Sequence, residues 1–201
     1  MYKMFGSNMK LTYRNGDKYL GDVKDGKPNG SGTMTFKKYL YNAVYEGEWS
    51  NGKKHGHGRM TDSEDKSWFY VGQFVNGKKH GHGQENDADG FYEGEYVDNN
   101  RHGFGRWIAA DGEMYRGSWR DDGMYGDGIM LYSLDDEIYK GNWYDSKRCG
   151  RGRMIFQNGD IYEGSWKDDK MNGHGKMIFA NGDVFIGQWK DDVPTKHRRM
   201  E

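Results

Sequence analysis

The chain contains one cysteine, two prolines and few aliphatic residues, and its formal net charge is only −1. The lone Cys149 excludes an intramolecular disulfide framework. No apolar run approaches the length of a transmembrane helix. The N-terminal stretch MYKMFGSNMKLTYRNG lacks the apolar core of a secretory signal, and the C-terminal KHRRME lacks a lipidation box. A soluble, cytoplasmic, reducing setting is therefore the expectation. With 34% hydrophobic residues and 32 glycines in 201 residues, a thick aliphatic interior cannot be built. Near-neutrality gives no bulk attraction to nucleic acid or to an anionic membrane, so any electrostatic function depends on where the charges fall.

Aromatic residues make up 15% of the chain, which argues against disorder. They recur in one phrase, an aromatic residue, then glycine two positions on, then a second aromatic after two more. The copies are Tyr45/Gly47/Trp49, Tyr70/Gly72/Phe74, Tyr92/Gly94/Tyr96, Tyr115/Gly117/Trp119, Tyr139/Gly141/Trp143, Tyr162/Gly164/Trp166 and Phe185/Gly187/Trp189. A weaker first copy is Tyr19/Gly21/Val23. Every copy but the last is followed by Gly-x-Gly, as at Gly56 and Gly58, Gly81 and Gly83, and Gly173 and Gly175, and the first glycines of the two motifs are nine residues apart in all seven cases. Lead aromatics are 22 to 26 residues apart, with all the variation after the Gly-x-Gly. A fixed interval beside an elastic one describes a rigid hairpin and a joint that tolerates insertion.

The alternation identifies strands. In YEGSWK, Tyr162, Gly164 and Trp166 share one face, with Glu163 and Ser165 on the other. In GHGKMIF, Gly173, Gly175, Met177 and Phe179 share a face, with KDDKMN as the tip between the strands. Joints such as FQNGDIY carry Asn-Gly, a hairpin signal. The expected fold is all-β: a single-layer antiparallel meander of about eight hairpins, in which rings cover glycines on the neighbouring strand. Rings half exposed in an isolated hairpin would not offset the ordering entropy, so neighbours must cover them.

The phrase resembles the MORN (membrane occupation and recognition nexus) repeat, over about residues 10 to 192. GKKHGHG and NRHGFG also look like the repeats of radial spoke head proteins in cilia. The resemblance implies an elongated, groove-bearing array that binds partners at cytoskeletal or membrane-proximal sites. The array is expected over residues 1–192, with a partial repeat near 9–18, copies starting near 19, 45, 70, 92, 115, 139, 162 and 185, and a basic tail at 193–201. KKYLYNA lengthens the joint after the first copy, and the strand at Trp189 is expected to be an edge blunted by Pro194.

Two sets of residues are candidate partner sites. Hairpin tips carry Lys53, Lys54, Lys78, Lys79 and Arg101, while joints carry Asp62, Glu64, Asp65, Glu85, Asp87, Asp89, Asp111, Glu113, Asp135, Asp136 and Glu137. The plain reading is turn propensity and solubility; the functional one is a basic edge that meets an acidic partner or anionic phospholipid. The rings Tyr92, Tyr115, Trp119, Tyr139 and Trp143 are structural first, and as groove linings would anchor a peptide. Tyr45, Gly47, Trp49, Gly56, Gly58, Tyr70, Gly72, Gly81, Gly83 and the Tyr162 copy are the repeat's structural signature.

Catalytic motifs are absent from the sequence. His55, His57, His80 and His82 lie on strands too far apart for zinc, and Cys149 has Arg148 and Arg151 as neighbours able to lower its pKa. No cofactor, metal or nucleic acid is expected. The reading is a non-enzymatic scaffold for a protein partner in a cytoskeletal or ciliary assembly. The alternatives are a phosphoinositide-binding or membrane-tethering module, or a regulatory subunit of an enzyme. An exposed array end makes a homodimer a further expectation.

Overall fold

The computed structural model describes residues 5–37, 42–62 and 68–196. Part of the KKYLYNA joint, Glu64, Asp65 and residues 197–201 lie outside the described residues. The chain falls into two units, Met1–Asn100 and Arg101–Glu201. In the first unit are β1 (Phe5–Thr12), β2 (Lys18–Lys24), β3 (Lys27–Lys37), β4 (Asn42–Ser50), β5 (Lys53–Asp62), β6 (Phe69–Val75), β7 (Lys78–Asp87) and β8 (Gly90–Val97). In the second are β9 (Asn100–Ala109, starting one residue before the boundary), β10 (Met114–Arg120), β11 (Gly123–Tyr132), β12 (Glu137–Tyr144), β13 (Lys147–Ile155), β14 (Ile161–Lys167), β15 (Lys170–Ile178), β16 (Val184–Lys190) and β17 (Val193–Lys196). Within each unit every strand pairs antiparallel with the next in sequence. The described residues contain no helix, so the all-β meander of hairpins expected from the alternation is the fold.

Two boundaries differ from expectation. The first strand begins at Phe5, and Val193–Lys196, expected in the tail, form β17 instead. The strand at Trp189 is therefore not the edge, because Trp189 pairs with Pro194 on β17. Pro194 occupies the place that Pro28 takes opposite Val23 in the first hairpin.

The nine-residue interval is set by a tight turn and a bulge. At the tips, Asn51-Gly52, Asp98-Asn99, Asp121-Asp122 and Asp168-Asp169 have both central residues at positive φ, the mark of a type I′ turn. Asn and Asp tolerate this left-handed conformation because a short polar side chain can bond locally. The second tip residue also reaches back to the preceding hairpin. The Asp122 N–H donates to the Arg101 carbonyl at 3.1 Å while Asp122 Oδ1 accepts the Arg101 N–H at 2.8 Å. Asn99 to Lys79, Asp169 to Arg148 and Asp192 to Met171 repeat this two-way clamp.

Beyond the tip, the register slips by two residues, as where Gly164 pairs with Gly175 but Trp166 with Met171. The first glycine of Gly-x-Gly sits in this bulge, with φ of 57° at Gly56, 63° at Gly81 and 58° at Gly150. Gly173, expected beside Gly175 on the packed face, has this bulge role too. The two glycines of the motif, grouped as one signature in the sequence, therefore differ in role. The second of each pair is the one under a ring: Gly58 pairs with Gly47 beneath Tyr45, and Gly83 with Gly72 beneath Tyr70. The joints carry a different turn: the Asn-Gly of FQNGDIY closes with Gly159 N–H on the Phe156 carbonyl and only the glycine at positive φ. Phe179, expected on the packed face, starts such a joint and is exposed.

The lead tyrosine lies over glycines of its own hairpin, rather than those of the adjoining one. Tyr139 covers Gly141 and its cross-strand partner Gly152. Its hydroxyl donates to the Asn142 carbonyl at 3.1 Å, beside the bulge. The same bond joins Tyr45 to Glu48, Tyr70 to Gln73, Tyr115 to Ser118 and Tyr162 to Ser165. Where the lead residue is Phe185, the Thr195 hydroxyl donates to the equivalent Gln188 carbonyl. The second aromatic links neighbours edge to face. In the second unit Trp143 stands between Tyr115 and Tyr139, and Trp166 between Tyr139 and Tyr162, with ring centroids 5.1 to 5.5 Å apart. In the first, Trp49, Phe74 and Tyr96 bridge Tyr19, Tyr45, Tyr70 and Tyr92 in the same way. Methionines cross-strand from the lead ring, such as Met34, Met130, Met154 and Met177, complete the buried layer.

A Cβ on Gly152 would stand 2.5 Å from the Tyr139 ring, and one on Gly141 2.6 Å from the Gly152 backbone. Gly152→Ala should therefore cost about 1–3 kcal/mol or more in urea unfolding. Gly26→Asn, a left-handed tip position with open space around it, should shift the same midpoint hardly at all.

Candidate functional site

The five rings expected to line a groove are inside the protein. Tyr92, Tyr115, Trp119, Tyr139 and Trp143 are at most 5% exposed, so their surface is used by the ring row and by tyrosine hydrogen bonds. Burial raises the pKa of the core tyrosines, to about 12 for Tyr19 and Tyr162 and further for Tyr45, Tyr70, Tyr115 and Tyr139. Burial therefore favours the neutral phenol in the folded chain.

The tip cations divide into two kinds. Lys54 folds back over the Phe74 and Tyr45 rings, its Nζ 4.9 and 5.7 Å from their centroids. Lys79 lies over Tyr70 and Tyr96 and pairs with Glu85, and Tyr96 also donates to Glu85 at 2.9 Å. Glu85, expected among the acidic joints, is thus part of this half-buried lid. Arg101 stacks 5.2 Å over Trp119, and Arg148 4.6 Å over Trp166 while bonding Asp169. Lys53 and Lys78 alternate with these and are exposed, with Lys78 3.0 Å from Asp98. The tips also carry the turn aspartates Asp98, Asp121, Asp122, Asp168 and Asp169. A continuous basic edge does not result.

At the joints, Asp111 and Asp135 lie near Glu113, whose pKa is raised by burial first and then by these two charges. Asp87 accepts from the Asp89 N–H, and Asp111 from the Glu113 N–H, both as turn contacts. His57 lies 3.7 Å from Glu48, and His80 3.9 Å from Asp98. Among the described residues no group of three His, Cys, Asp or Glu is placed to hold a metal ion. Burial, and then Asp168 and Asp169, push the Cys149 thiol pKa up, the opposite of the direction its arginine neighbours suggested. No helix is long and apolar enough to cross a membrane among the described residues.

The surface feature that sequence reasoning missed lies on the face opposite the rings. In the second unit the backbones of Gly117, Gly128, Gly141, Gly152, Gly164 and Gly175 floor an open cleft of about 1010 Å³. Side chains at these positions would point to the tyrosine face, so only backbone shows here between two rows of neighbours. One row comprises Arg116, Ile129, Lys140, Arg153, Glu163 and Lys176, successive cross-strand partners on β10 to β15. The other includes Phe104, Asp127, Arg151, Ser165 and His174. Five cations thus face two carboxylates, a balance of +3. Arg153 is 3.2 Å from Glu163, and Asn142 donates to Asp127 at 2.6 Å. Arg116, Lys140, Arg151 and Lys176 have no carboxylate in ion-pair range among the described residues. Arg116 stacks on Phe104, whose ring is 51% exposed. Corresponding positions of the first unit carry Asp22, Glu46, Glu48, Glu93 and Glu95 against Arg59, the reverse sign.

The signal was in the columns: the residues flanking each repeat glycine face away from the rings, and reading them copy by copy gives acid in the first half and base in the second. The MORN repeat family model matches residues 19–40, 45–64, 70–90, 92–114, 139–161 and 162–184. The copies at Tyr115 and Phe185 lie outside those matches but form the same paired strands. Among curated proteins none matches the chain.

Two outcomes follow for stability. Lys54→Ala or Arg148→Ala should lower the unfolding free energy measured in urea by about 0.5–2 kcal/mol through lost packing and cation–π contact, whereas Lys53→Ala should leave it within about 0.5 kcal/mol. The tyrosine contribution is complete below pH 10, the unperturbed phenol value, and is lost as pH rises from 10 toward the higher folded values. Unfolding midpoints measured by circular dichroism should fall above pH 10, with the buried tyrosines' share of the tyrosinate absorbance appearing in step with unfolding.

Proposed function

Since the chain belongs to the MORN repeat family, whose repeats generally serve protein–protein or membrane–lipid interactions, we propose that it is a non-catalytic scaffold holding a protein partner within a cytoskeletal or ciliary assembly. The observation that supports this reading is the cation-walled cleft of the second unit. Its residues serve no fold requirement comparable to that of the ring face. The glycine-facing tyrosines need no particular charge on the opposite side, so a run of cations there calls for an external counterpart. A concave trough between two rows of side chains also suits a polypeptide better than a flat bilayer.

A second reading is supported by the exposed Lys53 and Lys78 at adjacent tips of the first unit, which suit attraction to anionic phospholipid at about 1 kcal/mol per cation. The two are separable. Immobilised chain should retain a soluble protein from ciliary or cytoskeletal extract, and the variant Arg116→Glu/Lys140→Glu/Lys176→Glu should lose it. Co-sedimentation with phosphatidylserine vesicles, abolished by Lys53→Glu/Lys78→Glu and accompanied by no retained protein, would replace the scaffold reading with membrane tethering.

A further inference from the structure

We propose that the second-unit cleft takes an extended acidic segment of a partner protein, laid across the strands with its carboxylates on Lys140, Arg151 and Lys176. The inference rests on the scaffold reading and specifies the chemistry of its partner. Six floor strands spaced about 4.8 Å apart give the cleft a length of about 24 Å. About seven residues of an extended chain span that length.

The floor backbone is already paired on both sides in the antiparallel ladder, so the occupant cannot add as another strand. Affinity must come from side chains. In an extended segment these alternate left and right, one set toward the Arg116, Lys140 and Lys176 wall and the other toward Arg151. Same-side residues recur about every 6.6–6.8 Å, while the cations on β10, β12 and β15 stand about 10 and 14 Å apart along the cleft, so the long Lys and Arg side chains lean to take up the difference. Phe104, half exposed beside Arg116 at one end, offers an apolar stop for a flanking residue. Charge sign confines recognition to this unit, because the matching positions of the first unit are acidic.

The test uses the full chain and a fluorescein-labelled nonapeptide of three Glu-Glu-Ser units, which puts carboxylates on both sides of an extended chain, read by fluorescence anisotropy. The Glu/Ser peptide should bind, weaken as salt rises, and lose about 10- to 100-fold in affinity with Lys140→Glu/Arg151→Glu/Lys176→Glu. A Gln/Ser peptide should bind no better than that variant does, and Lys53→Glu/Lys78→Glu should leave the Kd unchanged. Lys140→Gln/Arg151→Gln/Lys176→Gln, with thermal unfolding as a fold check, should give an intermediate loss. Equal binding of the Gln/Ser peptide, or indifference to the cleft substitutions, would overturn the inference. So would phosphatidylserine vesicles that bind in a cleft-dependent manner when the peptide does not. A salt-sensitive dimer of the chain alone, dissolved by the same reversal, would instead assign the cleft to the acidic first-unit face of a second copy. Loss of the extract protein on cleft reversal, with no binding of the Glu/Ser peptide, removes this inference and leaves the scaffold reading standing; failure of the intact chain to retain any extract protein removes both.

Discussion

A tyrosine ring laid flat over two facing glycines, with its hydroxyl on a carbonyl beside the bulge, is the contact from which the rest of this protein follows. Each part requires the others. The bulge leaves a main-chain oxygen without its ladder partner, and the phenol supplies a donor at 2.7 to 3.1 Å in the seven tyrosine-led hairpins. The ring reaches that oxygen only because no Cβ intervenes at either glycine. Once the tyrosine is fixed, the second aromatic has two ring edges or faces to meet, one in its own hairpin and one in the preceding one. Stability is then shared between neighbours, as in other repeat proteins.

Much of this was legible in the sequence. The nine-residue interval fixed the hairpin because a two-residue turn and a bulge admit no insertion, and alternation gave the strands. The Tyr162 copy shows what was hidden: Gly173 and Gly175 look equivalent as letters, yet one bends the backbone and the other lies under a ring. Gly56 and Gly58 divide in the same way. Pattern alone does not carry φ. Likewise Lys53 and Lys54 are adjacent and chemically alike, but alternation sends one to solvent and the other over Phe74. Phe179 was misplaced because strict alternation was carried past the point where the joint turn begins.

The two faces of each hairpin obey different constraints. On one, residue identity is tied to shape: tyrosine, glycine, a second ring, methionine. On the other, the residue after the lead glycine accepts from a bulge amide, as Asp22 does from Ser31, Glu48 from His57 and Asn142 from Arg151, while the remaining flanking positions are freer in charge and differ by unit. Function is therefore more readable there than among the rings, whose burial leaves them nothing to offer a ligand. The bland reading of the tip aspartates also gains content, since Asp122, Asp169 and Asp192 close backbone clamps.

Those clamps carry an implication for modularity. Each tip amide and its side chain are completed by the strand that precedes them by about one repeat, so a hairpin is not a self-contained brick. Its turn is written for a particular predecessor. Splicing, duplication or shuffling of copies would be tolerated where the incoming turn brings Asp, Asn or Ser to answer a free main-chain amide. Where glycine arrives at Gly77, half of the handshake is missing, whereas Gly52 meets Pro28, which has no amide to answer. Compatibility between modules is thus decided by one turn residue, a syntax imposed by hydrogen bonding rather than by overall resemblance.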